Sequence, residues 1–329
     1  MSNLNNIVYV IIFLGIGVLI NRWETKSIVQ KEATDNDRVK EFILNKKQTD
    51  DVKLFTKPFI WIHLDTAANS RNWESFNSRS SNEVNKPYIS YCIDTIVSKC
   101  GNEFNVCLID DDSFNRLLVN WNVDLSRIDD VNKEKLRMLA ISKVLYNYGG
   151  MIVPSSFICL KSLKSLYYKN VKQSGMFSCE SLDKNAYVTQ SVHIPDVNFL
   201  GCKKRSPEIK DYSEWLEKAI SSDYSSDMKF NNTPGKYLHE KVNQRKITLV
   251  DGKKIGIKDE NNNNIVIEDL FNTKYIQFID DLIGINIPDK EISSRHSYSW
   301  INKVSIQDLL NSDLLISKYL LLTNEAQSN

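Results

Sequence analysis

The sequence predicts an α/β fold, a parallel or mixed sheet flanked by helices, preceded by one N-terminal transmembrane helix. Three observations predict it. Strand-like and helix-like apolar patterns alternate through the first half of the body. The segment 132–148 carries Leu136, Leu139, Ala140, Val144 and Tyr148 at spacings of three and four, then passes through Gly149 and Gly150 straight into an apolar strand. Residues 1–21 hold no charged side chain, and 7–20 is an unbroken apolar or glycine run.

Taken in order, residues 4–23 form a helix of about 30 Å, the thickness of a bilayer core. No basic residue precedes the run and no small-x-small cleavage site follows it, so an anchor is expected rather than a cleaved signal. Arg22, Lys26 and Lys31 all follow the helix, which orients the body toward the cytoplasm. Residues 24–57 are charged and weakly patterned, a juxtamembrane stalk. The globular domain is expected over 58–322, with a disordered tail at 323–329.

Within that domain, 59–64 reads as a buried strand. Pro87 suits the first turn of a helix reaching about Lys99, closed by Cys100 and Gly101. Residues 105–109 make a second strand, with Asp110, Asp111 and Asp112 just past its end. After the 132–148 helix come strand pieces at 151–153 and 157–160. Residues 175–179 and 197–201 read as strands and 206–220 as a helix. Residues 255–257 and 265–267 read as a hairpin joined by an Asn-rich turn. A helix over 305–322, with Ser305 as N-cap, completes the domain. Neither a repeat nor a Pro- or Gly-rich linker interrupts 58–322, which predicts one domain.

Bulk chemistry removes several classes. Lys and Arg number 42 against 41 Asp and Glu, a net charge of +1, so no nucleic-acid partner is expected. The six cysteines form no close pair, which disfavours a zinc site or a redox dithiol and fits free thiols in a reducing compartment. No Walker sequence, dinucleotide fingerprint or Ser-His-Asp order is present.

In an open α/β sheet, ligands bind beyond the carboxyl ends of the strands. Trp61 and His63 of the first strand, the Asp110–Asp112 run and the Gly149-Gly150 turn with Ser155 and Ser156 are expected there. Each has a plainer reading. His63 can be a hydrogen-bonded core residue, Asp110 and Asp111 can cap the helix that follows, and Pro154 can mark a bend.

The run Leu145, Tyr146, Asn147, Tyr148, Gly149, Gly150, followed by a strand and by Ile158, Cys159, Leu160, Lys161, Ser162 and Leu163, resembles the central signature of two related families. These are the sugar-binding-region glycosyltransferases of family 32 and the capsular polysaccharide synthesis proteins. Weaker matches are Ile60-Trp61-Ile62, the stretch 92–110, Asn198 to Lys203, and His296-Ser297-Tyr298-Ser299-Trp300. The resemblance implies a GT-A fold, a nucleotide-sugar donor and a divalent metal. Looser likenesses (Arg71-Asn72-Trp73, 78–81 and 151–157) are similar to membrane-anchored proteins of large DNA viruses.

Two departures qualify what the resemblance implies. Where those families carry Asp-x-Asp, this chain has Pro154, Ser155 and Ser156. Those carboxylates would hold Mn²⁺ or Mg²⁺, so neither ion is expected here. On the preceding helix the families' Asp and Arg fall at Met138 and Ile141, and Arg137 stands one turn earlier. The expectation is a membrane-anchored, glycosyltransferase-like protein with degenerate or altered catalysis that binds a nucleotide-sugar or glycan. Two alternatives stand beside it. One is an active, metal-independent transferase in which Arg137 and His296 act on the diphosphate. The other is a structural membrane protein without a ligand. Trp61, His63, Asp110, Asp111, Gly149, Gly150, Ser155, Ser156 and Trp300 are the candidate binding residues. Membrane lipid, through residues 4–23, is expected as a partner beside a nucleotide-sugar or glycan, and the sequence specifies no protein partner.

Overall fold

The computed structural model describes residues 38–39, 42–43, 56–65, 86–182, 193–222 and 227–325. The expected anchor at 4–23, the loop carrying Arg71 and Arg79, and residues 326–329 lie outside them. Among the described residues, no helix is long and apolar enough to cross a membrane. The chain divides into units of 1–42 and 43–329, and the sheet and its helices belong to the second.

A six-stranded sheet organises this unit. β1 (Phe59–His63), β2 (Asn105–Ile109), β3 (Gly150–Ile152), β5 (Met176–Leu182), β6 (His193–Cys202) and β7 (Thr248–Val250) lie in the order β2-β1-β3-β6-β5-β7. β1 is parallel to β2 and β3, β6 is antiparallel to β3 and β5, and β7 is parallel to β5. Five strands therefore share one direction and β6 alone opposes them. The sheet is mixed, and its two edges differ in chemistry.

Alternation along β1 fixes its two faces. Ile60 and Ile62 enter a core shared with Tyr88, Ile89, Cys92 and Ile96 of helix α1 (Pro87–Cys100). Each of these buried isoleucines contributes about 1.5–3 kcal/mol. Phe59, Trp61 and His63 occupy the other face, where Trp61 meets Tyr148 of helix α3 (Asp130–Tyr148) at 5.6 Å. Helices thus cover both faces. α3 begins where the Asp129 side chain accepts from the Asn132 N–H at 3.0 Å, and it ends at Gly149, whose φ of 72° closes the last turn.

The remaining helices are α2 (Ser113–Leu117), α4 (Lys164–Ser174), α5 (Pro207–Ser222), α6 (Asp227–Asn243), α7 (Ile267–Leu270), α8 (Asp289–Ser294), α9 (Ile306–Leu310) and α10 (Leu315–Glu325). Four differences from the sequence reading have local causes. The piece expected at 157–160 is a strand over Phe157–Cys159, but the turn at Pro154, where Phe157 donates to the Pro154 carbonyl, directs this β4 (Phe157–Cys159) away from the sheet to pair with β8 (Gly284–Asn286). The hairpin pairing is reduced to a bridge between Lys258 and Asn264 and an Ile265-to-Ile257 hydrogen bond, and Ile267 opens a helix instead. The C-terminal helix is two helices broken at Asn311, with Ser305 capping the first and the second running on to Glu325. Ile43, expected in the stalk, bridges Cys107 of β2. All six cysteines are buried and unpaired, as composition suggests.

Candidate functional site

The carboxyl ends of β1 and β2 carry the densest cluster of charge in the described structure, and Arg137 is its centre. The Arg137 side chain is 7% exposed. Its Nε and Nη2 donate to the two oxygens of Asp111 at 2.7 and 2.6 Å. Its Nη1 and Nη2 donate to Asp65 at 3.0 Å each, and Nη1 also donates to Glu134 at 3.0 Å. A guanidinium has five N–H bonds, and these five contacts use them all.

Each partner is delivered by the fold. Asp65 lies just past β1 and Asp111 just past β2, so parallel pairing brings their backbones to one edge. Glu134 sits one turn before Arg137 on α3 and also accepts from Lys290 of α8 at 2.6 Å. His63 Nε2 lies 3.0 Å from Asp111, its ring stacked on Phe114. Burial works to raise the Asp111 pKa, but the hydrogen bonds and charges of His63 and Arg137 outweigh it and hold the carboxyl well below the usual carboxylate range. The same competition, with Lys290 leading the charged partners, lowers Glu134. The guanidinium is raised despite its burial, chiefly by the hydrogen bonds it donates to Asp111 and Asp65.

Asp196 of β6 lies within the influence of Lys290. Burial pushes its carboxyl up to about 6, against the pull of the Asn198 N–H, which donates to it at 2.8 Å, and of the Lys290 charge. Beyond α8's link to Glu134, Asp289 ties that helix to the start of α1, accepting from Lys86 at 2.9 Å and from the Tyr88 hydroxyl. Asp65, Glu134, Lys290 and Asp196 are absent from the residues that sequence reasoning selects. Glu134 has a legible signal in its i, i+3 spacing to Arg137; the others are joined only by the fold.

The expected binding residues do not assemble into one pocket. His63 and Asp111 belong to the cluster. Asp110 does not face it; its carboxylate accepts from the Ser113 N–H at 2.9 Å and the Ser113 hydroxyl at 2.6 Å, capping α2. Trp61 is 1% exposed and its Nε1 donates to the Gly149 carbonyl at 2.9 Å, so the indole is a core residue with its donor spent. Gly149 and Gly150 lie at the opposite edge from the cluster, because they open β3 rather than follow it. Both pack tightly on neighbouring backbone. A Cβ on Gly150, at φ 92°, would fall 2.2 Å from the Phe59 carbonyl oxygen, and one on Gly149 would fall 2.6 Å from the Lys204 nitrogen. These glycines permit close backbone packing. Ser156 is buried and donates to the Ile287 carbonyl at 2.7 Å, while Ser155 occupies the preceding turn. His296 and Trp300 sit on a 3-10 turn (His296–Asn302) where Trp300, 45% exposed, packs its edge on Phe271. Among the described residues, no hydrogen bond or ion pair joins His296 to the cluster.

A divalent metal does not fit this donor set. Position 154 has no side-chain ligand, the Ser156 hydroxyl is committed to Ile287, and Asp65, Asp111 and Glu134 converge on a guanidinium. Among the described residues, no group of three His, Cys, Asp or Glu side chains is placed to hold an ion. An unoccupied diphosphate cradle is equally missing from the cluster, where three carboxylates face two cations. No family model, curated protein or solved structure matches this chain.

Proposed function

We propose that the chain is a membrane-tethered, glycosyltransferase-like protein in which the edge of the sheet that would perform transfer has become a structural ion-pair cluster. One observation carries this reading: all five Arg137 donors are engaged by carboxylates of the same chain. A guanidinium stabilises a leaving diphosphate by donating to it, and Arg137 has nothing left to donate. The mixed sheet flanked by helices supports the resemblance drawn from the Tyr-Gly-Gly signature. The loss of Asp-x-Asp to Pro154-Ser155-Ser156 supports the absence of metal-assisted transfer. The apolar run 7–20 supports the tether, and the basic residues after it support a cytoplasm-facing body.

The active, metal-independent alternative gains no support from geometry, since Arg137 is committed and His296 stands apart. A donor-hydrolysis assay tests the proposal. The full chain in neutral detergent is incubated with radiolabelled UDP- and GDP-sugars, with and without Mn²⁺. Release of free sugar no faster than in buffer is expected. Hydrolysis that disappears in Arg137→Lys while folding is kept overturns it.

A further inference from the structure

The other edge of the sheet has the opposite electrostatics. A cleft of about 590 Å³ opens there, between the amino ends of β5 and β7, the carboxyl end of β6 and the start of α5. Lys203, Lys204, Arg205, Arg245 and Lys246 line it, with Glu208 as the one acidic residue. Among the described residues, Lys203, Arg205, Arg245 and Lys246 have no ion-pair partner. The Glu208 carboxylate is turned toward the Ser206 hydroxyl, which donates to it. The first turn of α5, a sixteen-residue helix, faces the same space and adds the positive end of its dipole.

Two features argue that the cations are placed rather than merely present. Arg205 and Arg245 both have left-handed backbones, at φ 58° and 59°, where a non-glycine residue is strained. The loop that carries the first of them is pinned. Lys203 N–H donates to Gly175 at 2.9 Å, and Arg205 N–H donates to Tyr146 at 2.8 Å. Side chains of like charge repel, so gathering Lys203, Arg205, Arg245 and Lys246 on one cleft creates a positive field that favours an anion.

We propose that this cleft binds a small polyphosphorylated ligand, either a soluble polyphosphate or the phosphorylated headgroup of a membrane lipid. The site is independent of the Arg137 cluster and lies at the opposite edge of the sheet.

The test uses the full chain in neutral detergent micelles and two probes read by calorimetry. One arm titrates inorganic tripolyphosphate. The other dopes the micelles with bisphosphorylated phosphatidylinositol, with phosphatidylcholine as control. The variant is Arg205→Gly with Arg245→Gly, because glycine accepts the left-handed backbone and removes the charge without straining the fold. Binding in either arm, weakened about tenfold per arginine in the variant and falling with added salt, is the expected result. The arm that responds identifies the source of the phosphate. Binding in neither arm, or equal affinity in the double variant, overturns the proposal.

Discussion

Replacing Arg137 with methionine keeps the length and apolar stem of the side chain and removes its charge. The structure sets the size of the effect. Asp111, about a quarter exposed, makes the two shortest hydrogen bonds and should account for about 2–3 kcal/mol. Asp65 and Glu134 are a third or more exposed, so solvent screening limits each to about 1 kcal/mol at most. The total, about 2–5 kcal/mol, overlaps the range seen when one partner of a buried ion network is removed. Urea denaturation of the full chain in neutral detergent, for wild type, Arg137→Met, Asp111→Asn and the double variant, measures it. The cycle should return a coupling above about 1.5 kcal/mol between Arg137 and Asp111. Because the folded Asp111 pKa is depressed, its contribution is complete above the unfolded carboxylate range. It is lost as pH falls below about 4, so the cost of Arg137→Met should shrink there. A cost under about 1 kcal/mol at neutral pH, or a coupling near zero, refutes the reasoning.

Single sites elsewhere give further expected outcomes. Gly150→Ala should cost more than about 3 kcal/mol or prevent folding, because its Cβ meets the Phe59 carbonyl at 2.2 Å on a left-handed backbone; soluble yield and circular dichroism report it. Asp110→Ala should cost about 1 kcal/mol, the value of a lost helix cap, and leave polyphosphate binding unchanged. Asp196 has a raised folded pKa, so the folded state holds its proton more tightly and stability falls as pH rises from about 4 toward 6. Asp196→Asn should therefore stabilise the protein at neutral pH, by at most about 3 kcal/mol, and do little at pH 4, as urea midpoints at the two values would show.

The elements legible in the sequence are those with strong local determinants. Helix α3 is marked by its apolar spacing and Gly149, and β1 and β2 by short apolar runs ending at turn residues. The ion cluster is only half legible. Arg137, Asp111 and His63 stand out singly, and Glu134 is marked only by its i, i+3 spacing to Arg137, but Asp65, Lys290 and Asp196 come from other segments, and nothing local marks their convergence. The Gly149-Gly150 turn lies at the edge opposite to the expected one because it opens β3 rather than following it, and β3 is only three residues long. In sequence its two ends are nearly adjacent, while in the fold they face opposite chemistry. The basic cleft is hidden in the sequence for a related reason. Lys203 to Arg205 and Arg245 to Lys246 are two ordinary surface runs until β6 and β7 both pair with β5 and bring them together. A chain with a net charge of only +1 does not advertise two edges of opposite electrostatics.

The separation of those edges is the central claim, and calorimetry of the full chain against UDP- and GDP-sugars, with and without Mn²⁺, tests it most directly. Mn²⁺ should add nothing to binding, and any affinity for the diphosphate should be lost in the Arg205→Gly, Arg245→Gly variant and kept in Asp111→Asn. Mn²⁺-dependent binding that Asp111→Asn abolishes would contradict it, because the carboxylates would then be serving a metal rather than Arg137.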